Sequence, residues 1–155
     1  MKRGQLYELR NGGTFLVSVA EPTYPNRTPI IRTATRTYAL EMPRWTRLEG
    51  VIRDVKRDLV VARFFAQAFR GELRFATGSP LIFMKPGRIT WDWVFASADG
   101  EELMRYSTRR IRDRPGAVGA ARILVRFSPH MAIAMAILFF AARRMEAGAS
   151  TVAGV

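Results

Sequence analysis

The most apolar stretch of the chain is Met131 to Ala142, twelve residues without a charged or hydrogen-bonding side chain. Ser128 and Pro129 stand before it in the order expected of a helix N-cap and a first helical position. A serine hydroxyl can accept a hydrogen bond from a backbone N–H of the first turn, and proline lacks an N–H that would be left unpaired there. The pattern therefore predicts a helix that begins at Pro129.

The other end of this helix is marked by charge and by glycine. Arg143 and Arg144 follow the apolar run and Gly148 comes shortly after, which predicts a helix over about 129–146. The apolar run leaves no polar face on a helical wheel, so protein or lipid must surround it. Twelve residues cover about 18 Å, whereas a bilayer core needs ~20 apolar residues. Length favours enclosure by protein, and a tail anchor through residues 129–145 is the alternative.

Before the helix, short β-like runs alternate with turn residues. Gln5 to Arg10 and Thr14 to Ala20 flank Asn11-Gly12-Gly13, a strong hairpin signal. Three prolines make Glu21 to Pro29 a loop or a sheet edge. Ile30 to Leu40 is rich in β-branched residues and alternates, which predicts one strand solvated on one face.

The same pattern of β-like runs and turn residues continues to the start of the helix. Asp58 to Gly71 suits a helix or a strand, and its strand neighbours favour the strand. Residues 54–58 are predicted as a charged turn. The remaining predicted strands lie at residues 48–52, 72–76, 81–85, 88–96, 102–109 and 121–127.

One strand about every ten residues makes roughly eleven or twelve strands before the helix. An eight-stranded barrel is filled by its own side chains, and a helix is about 10 Å across, so a sheet closed around a helix needs more strands than eight. We therefore predict a single domain over residues 1–155. It would be mostly β, a closed antiparallel barrel of about twelve strands around the C-terminal hydrophobic helix.

Two stretches also resemble a known fold group. WDWVFASADGEELMRY at Trp91 to Tyr106 is similar to the strand, Asp-Gly turn and strand unit of the tubby-like C-terminal domain superfamily, and Ala121 to Arg144 is similar to its last strand and central helix. YELRNGGTFLVSV at Tyr7 to Val19 matches the same unit more loosely. This superfamily includes LURP-one-related proteins and phospholipid scramblases, and the resemblance implies a roughly twelve-stranded barrel around a hydrophobic helix.

The resemblance implies a non-enzymatic module associated with lipids or membranes. It does not carry over particular activities. The acidic calcium-binding segment of scramblases has no counterpart, since only Glu146 is acidic beyond the central run. The lysine and arginine positions with which tubby proteins hold phosphoinositides cannot be placed either.

Net charge is the strongest signal in the composition. The chain carries +12, with 22 arginines and 3 lysines. Such an excess attracts anionic lipid head groups, nucleic acid or acidic partners without choosing among them. Arginine suits bidentate phosphate contacts, although a GC-rich genome would also favour arginine over lysine. The start MKRGQLYELR has no apolar segment typical of a secretory signal, so we expect a cytoplasmic protein or one on the cytoplasmic face of a membrane.

The densest positive cluster supplies the candidate site for anions or phosphates. Several guanidinium groups within one Debye length reinforce one another, and the alternative is a solvated strand and loop. A shorter group at Arg53, Lys56 and Arg57 is expected to be ordinary surface. The candidate anion-binding residues are Arg105, Arg109, Arg110, Arg112 and Arg114.

The sequence offers few candidate catalytic residues. It contains one histidine, His130, and no cysteine, so thiolate metal sites are excluded. None of the common nucleotide-binding, nucleophile or metalloprotease motifs occurs. We expect no enzyme and no cofactor. Trp91, Trp93 and Phe95 share one strand face and could stack bases, but such a stripe more often packs inward.

Together these features predict a basic binding module for anionic membrane surfaces or lipids. A nucleic-acid-binding barrel that uses the same arginines, and a tail-anchored membrane protein, are the alternatives. The sequence does not indicate an oligomeric state.

Overall fold

Eleven β-strands and one long helix make up the part of the chain that this computed structural model describes. That part comprises residues 4–21, 28–42, 48–67, 70–84, 92–107 and 119–153, with their side chains except at 48 and 145–153. The strands are β1 (Gln5–Asn11), β2 (Thr14–Glu21), β3 (Ile30–Thr33), β4 (Thr37–Glu41), β5 (Leu48–Asp54), β6 (Leu59–Gln67), β7 (Arg70–Phe75), β8 (Leu81–Met84), β9 (Asp92–Ala96), β10 (Glu102–Ser107) and β11 (Ala120–Ile123), and the helix is α1 (Pro129–Ala153).

Each strand pairs antiparallel with the next strand in sequence, from β1 to β11. The sheet curls into a nearly closed barrel, which confirms the predicted mostly β fold with a count of eleven strands. Because every pairing is antiparallel, the odd-numbered strands all run in one direction and the even-numbered strands in the other. The barrel therefore has two ends, and connections alternate between them.

Helix α1 lies inside this barrel. It packs on β2 and β3 at one side and on β9 and β10 at another. From Ala132 to Ala142 every residue except Phe139 is at most 2% exposed, so Phe139 alone reaches solvent along this stretch. The barrel encloses the apolar run, as its length predicted. The described helix is not long and apolar enough to cross a membrane.

The start of α1 agrees with the sequence prediction, and its end does not. Ser128 is the N-cap, because its Oγ accepts a hydrogen bond of 3.2 Å from the backbone N–H of Met131. The helix continues past the predicted stop at Gly148 and ends at Ala153. A glycine in a helix costs only about 1 kcal/mol relative to alanine, and alanines on both sides of this glycine favour the helix.

Large aromatic side chains of β8 and β9 fill the interior beside the helix. Phe83, Trp93 and Phe95 are completely buried. The rings of Phe83 and Trp93 stack with centroids 5.2 Å apart, and Phe95 packs at an angle on Phe83. The predicted inward face of this strand is confirmed at Trp93 and Phe95, while Trp91 lies outside the described residues.

The prediction of one strand over Ile30 to Leu40 is wrong. Two strands, β3 and β4, occupy this stretch and are joined by a turn at residues 34–36. Thr33 builds the turn, since its Oγ1 accepts hydrogen bonds from the backbone N–H groups of Thr35 and Arg36. A threonine can form such a turn without glycine, proline, asparagine or aspartate, so the usual turn signals were absent.

The ambiguous stretch from 58 to 71 is strand and not helix. It contains all of β6 and the first residues of β7, so it spans two strands where one was predicted. At Gly71 a Cβ atom would lie 2.6 Å from Cα of Ala66, and glycine is needed there because the neighbouring strand approaches so closely. The glycine hairpins were predicted correctly, and Gly12 and Gly100 have φ angles of 61° and 90°.

Candidate anion-binding end of the barrel

The two ends of the barrel differ in their connections. One end, which we call the short-turn end, carries the turns after β1, β3, β5, β7 and β9 and the link from β11 to α1. At the other end the odd-numbered strands begin, β2, β4, β6, β8 and β10 end, and the second half of α1 lies. We call it the basic end. The sequence segments that adjoin these strand and helix ends are residues 1–4, 22–29, 42–47, 68–69, 85–91, 108–119 and 143–155.

Almost all of the net charge belongs to the segments that begin or end at the basic end. Their sequences contain thirteen lysines and arginines and two acidic residues. The segments of the short-turn end contain four basic and three acidic residues, and the eleven strands contain eight of each. The charge of +12 is therefore distributed unevenly along the chain. The basic and acidic residues of the strands balance one another, and those of the short-turn segments nearly do so.

Helix α1 contributes two arginines to the basic end. The helix starts at the short-turn end, where His130 stacks on Phe75 at the last position of β7 with ring centroids 4.3 Å apart. It runs through the barrel and reaches the other end at Arg143 and Arg144. Both side chains are half-buried.

Arg143 is held by residues of the first hairpin. One of its terminal nitrogens, Nη2, donates a hydrogen bond of 2.6 Å to Tyr7 Oη. Its guanidinium carbon lies 4.5 Å from the centre of the Tyr7 ring and 5.6 Å from that of Phe139. Its Nε is buried without a hydrogen-bond partner and lies 3.8 Å from a carboxylate oxygen of Glu21. A guanidinium has five N–H donors, so Arg143 retains donor capacity.

Arg144 shares this part of the barrel. Its guanidinium carbon lies 5.2 Å from the centre of the Phe140 ring. Burial lowers the pKa of Arg144 from its ordinary value, and the nearby Glu21 carboxylate opposes this change in pKa. The charged form is disfavoured because it is partly removed from water. The half-buried guanidinium groups of Arg143 and Arg144 thus lie near the carboxylate of Glu21. Their two positive charges exceed its single negative charge, so they would attract a further anion.

Arg105, the first residue of the sequence-predicted cluster, lies on β10. Its Nη1 donates to Asp92 Oδ2 at 2.7 Å, and its Nε donates to Glu102 Oε1 at 2.5 Å. The hydrogen bonds to Glu102 and then to Asp92 raise the pKa of Arg105 above its ordinary value. Two acidic side chains of the barrel wall therefore already bind this arginine.

The other four members of the cluster lie outside the described residues. They belong to the connection of residues 108–118, which leaves β10 after Ser107 and returns at Gly119. Those two residues stand at the basic end. The members concerned are Arg109, Arg110, Arg112 and Arg114.

The shorter basic group belongs to the opposite end. Lys56 and Arg57 form the exposed turn between β5 and β6, and their backbone N–H groups each donate to Asp54 Oδ1 at 3.1 Å. Asp54 itself is 2% exposed. Arg53 pairs with Glu41 at 2.9 Å. The predicted charged turn at 54–58 is confirmed.

Sequence reasoning treated Arg143 and Arg144 only as charges suited to a helix end. It did not single out Tyr7 or Glu21 for this site. The available signal was that a helix wholly enclosed over its apolar run must emerge from the barrel at its first charged residues. Tyr7, the hydrogen-bond partner of Arg143, is 136 positions away in the sequence, and only the topology of the barrel brings the two residues together.

No three histidine, aspartate or glutamate side chains within the described ranges are placed to hold a metal ion. The class that the described residues define is a nearly closed antiparallel β-barrel around a helix, and the sequence segments that adjoin one of its ends carry most of the net charge. No family model, curated protein or solved structure matches the chain.

Proposed function

We propose that this chain is a non-enzymatic binding module for anionic membrane surfaces or lipids, and that it binds them through its basic end. The observation that carries the proposal is the concentration of net charge in the segments of that end. A flat anionic surface attracts a molecule most strongly when its positive charges can approach that surface together. The module would act in the cytoplasm or at the inner face of a membrane.

The expected energies are sufficient for peripheral binding. Each lysine or arginine near an anionic membrane contributes about 1 kcal/mol, and the contribution falls off within a Debye length of about 10 Å. About eight such contacts would reach micromolar affinity, for which about 8 kcal/mol is needed. The nearly neutral short-turn end would face away from the membrane.

The barrel and its central helix also support the proposal that the chain is tubby-like. The eleven described strands are close to the roughly twelve that the resemblance to LURP-one-related proteins and scramblases implies, and the enclosed C-terminal helix also agrees with it. The lipid-associated function is proposed on the charge distribution, and the resemblance adds to it.

The test compares two charge reversals of equal size at opposite ends. Arg110→Glu with Arg112→Glu changes the basic end, and Lys56→Glu with Arg57→Glu changes the short-turn end by the same amount. Cosedimentation with phosphatidylcholine vesicles, with and without phosphatidylserine, is measured over a range of salt concentrations. We expect the basic-end pair to weaken binding about tenfold or more and the short-turn pair to change it little.

Two results would contradict the proposal. Equal losses from both pairs would mean that binding follows overall charge and not one end. Tighter binding to a single-stranded or duplex nucleic acid than to the anionic vesicles, at the same salt concentration, would favour the nucleic-acid alternative.

A further inference from the structure

The barrel has a seam between its first and last strands. Within the described part of the chain, β1 pairs only with β2, and β11 pairs only with β10. Both strands are odd-numbered, so they run in the same direction. An antiparallel barrel with an odd number of sequential strands cannot close by one more antiparallel pairing between its ends. One additional strand, antiparallel to both edges, would make the number even.

Burial shows that the interior is incomplete at this seam. The inward side chains of the neighbouring strands are almost fully buried, with Val17, Val19 and Ile31 at 3%, 4% and 1% exposure. The inward side chains of the two edge strands are only half-buried, although they pack on the core or, for Tyr7, on Phe139 of the helix. They are Tyr7, Leu9, Ala121 and Ile123.

The helix has the same asymmetry. Phe139 is the one residue between Ala132 and Ala142 that is not fully buried. Its ring centre lies 4.9 Å from that of Tyr7 on β1 and 5.3 Å from that of Tyr106 on β10. Phe139 therefore faces the seam from inside, and together with the half-buried edge residues it forms an apolar floor.

We propose that this seam binds an extended peptide segment of a partner protein as a twelfth strand, which pairs antiparallel with both β1 and β11. The outer edges of β1 and β11, which pair with no other described strand, supply backbone donors and acceptors, and the floor receives every second side chain of the peptide. Main-chain hydrogen bonds would give affinity, and the apolar floor would select the inward side chains. The proposal is independent of membrane binding.

A second copy of the chain does not fit this role. The strand that fills the seam must have both of its edges free, because it pairs on both sides. The exposed strands of another barrel, its β1 or its β11, are already paired along one edge with β2 or β10. They can therefore pair with one edge of the seam but not with two.

Strand direction fixes the orientation of the peptide. Since β1 and β11 run toward the short-turn end, an antiparallel strand runs toward the basic end and places its C-terminal residues there. Arg143 stands at that end beside Tyr7, with donor capacity left on its guanidinium. Acidic residues or a free carboxylate at the C-terminal end of the peptide would complement this charge. The partner segment is thus expected to alternate apolar and polar residues, so that one face is apolar, and to carry acidic groups at its C-terminal end.

The probe is a fluorescent decapeptide of alternating valine and threonine that ends in two glutamates and a free carboxylate. Binding to the full chain is measured by anisotropy, and amide hydrogen exchange is followed with and without peptide. We expect saturable binding and slower exchange in both β1 and β11. A peptide with proline at two central positions should bind at least tenfold more weakly, because it loses ladder hydrogen bonds.

Direction and charge have their own controls. A peptide of the same composition with the glutamates at its N-terminal end should bind several-fold more weakly. Arg143→Gln should weaken binding of the original peptide several-fold. Arg63→Gln, which removes the same charge from an exposed position of β6, should not.

Several outcomes would overturn the proposal. They are equal binding of the proline peptide, slower exchange at one edge strand or at neither, and equal losses from Arg63→Gln and Arg143→Gln. A chain that forms dimers in which the β1 amides are protected without peptide would replace the proposed partner with a second copy.

Discussion

Phe139 and Phe140 are neighbours on α1 and have opposite surroundings. Phe140 is 1% exposed, whereas Phe139 is half-buried and faces the seam between β1 and β11. A similar division runs through the sheet, where most inward residues of β2 to β10 are buried, with Phe75 at the end of β7 half-buried, and those of the two edge strands are half-buried. The helix therefore has a side covered by a continuous wall and a side that is only partly covered.

This difference separates stability from recognition. The continuous wall contributes most of the apolar burial that stabilises the fold, because burial contributes in proportion to the area removed from water. The seam has apolar surface and backbone groups that the described part of the chain does not use itself. The following predictions test this division, from the largest expected effect to the smallest.

Ile137→Asp should abolish folding. Ile137 is completely buried, and a lone carboxylate in this interior would have no partner and would cost several kcal/mol. Circular dichroism and gel filtration measure the loss. Ile137→Val is the control, with an expected cost of about 1 kcal/mol. A soluble Ile137→Asp variant with a cooperative melt would contradict the enclosure of α1.

Phe140→Ala should cost about 3–5 kcal/mol in the free energy of unfolding, since it leaves a cavity between helix and wall. Phe139→Ala should cost at least about 1 kcal/mol less, because its ring already contacts solvent. Urea unfolding of both variants gives the comparison. Equal costs would mean that the seam is as well packed as the wall.

Gly50→Ala tests how tightly the wall strands approach one another. A Cβ at Gly50 would lie 2.6 Å from the backbone oxygen of Glu41, so we expect a cost of about 1–3 kcal/mol. Gly13→Ala, in the first hairpin turn, is the control because nothing lies within 4 Å of its added Cβ. Thermal unfolding of the two variants measures the difference in stability. A Gly50→Ala variant as stable as the Gly13→Ala control would show that the strands of the wall can move apart without cost.

The smallest effect concerns the titration of Tyr7 at the seam. Burial raises the pKa of Tyr7 above 10.0, while Arg143 lowers it and Glu21 raises it. Arg143→Gln should therefore move this pKa further upward. Because the folded state holds the phenol proton more tightly than the unfolded state, the contribution of Tyr7 to stability decreases as the pH rises above the unfolded value of about 10.

Ultraviolet titration of phenolate, with Tyr7→Phe to assign the signal, measures the position of this pKa. A downward movement of the pKa in Arg143→Gln would mean that Arg143 does not face the Tyr7 phenol in solution.

Much of the fold could be predicted because its signals are local. Asn11-Gly12 marks the first hairpin, and Ser128 marks the helix start, each through its own backbone chemistry. The enclosure of the helix followed from the length of its apolar run. The turn at residues 34–36 was missed because Thr33 replaces the usual turn residues.

The seam and the arginines around it could not be predicted in the same way. A sequence estimate of eleven or twelve strands is good to one strand, and that one strand decides whether the ends of the sheet run parallel or antiparallel. The pairing of Arg143 with Tyr7 joins the two ends of the chain and leaves no periodic signal. The role of the predicted arginine cluster stays a prediction.

All eleven strands precede α1 in the chain, which has a consequence for synthesis. The sheet emerges from the ribosome before the residues that fill it, so its interior lacks its largest apolar component until translation reaches the final helix. Until then the inward faces of β2 to β10 have nothing to cover them. A premature stop codon before Ala132 would leave the sheet without its central helix. Its inward apolar side chains would then be exposed, and the chain would aggregate or bind chaperones.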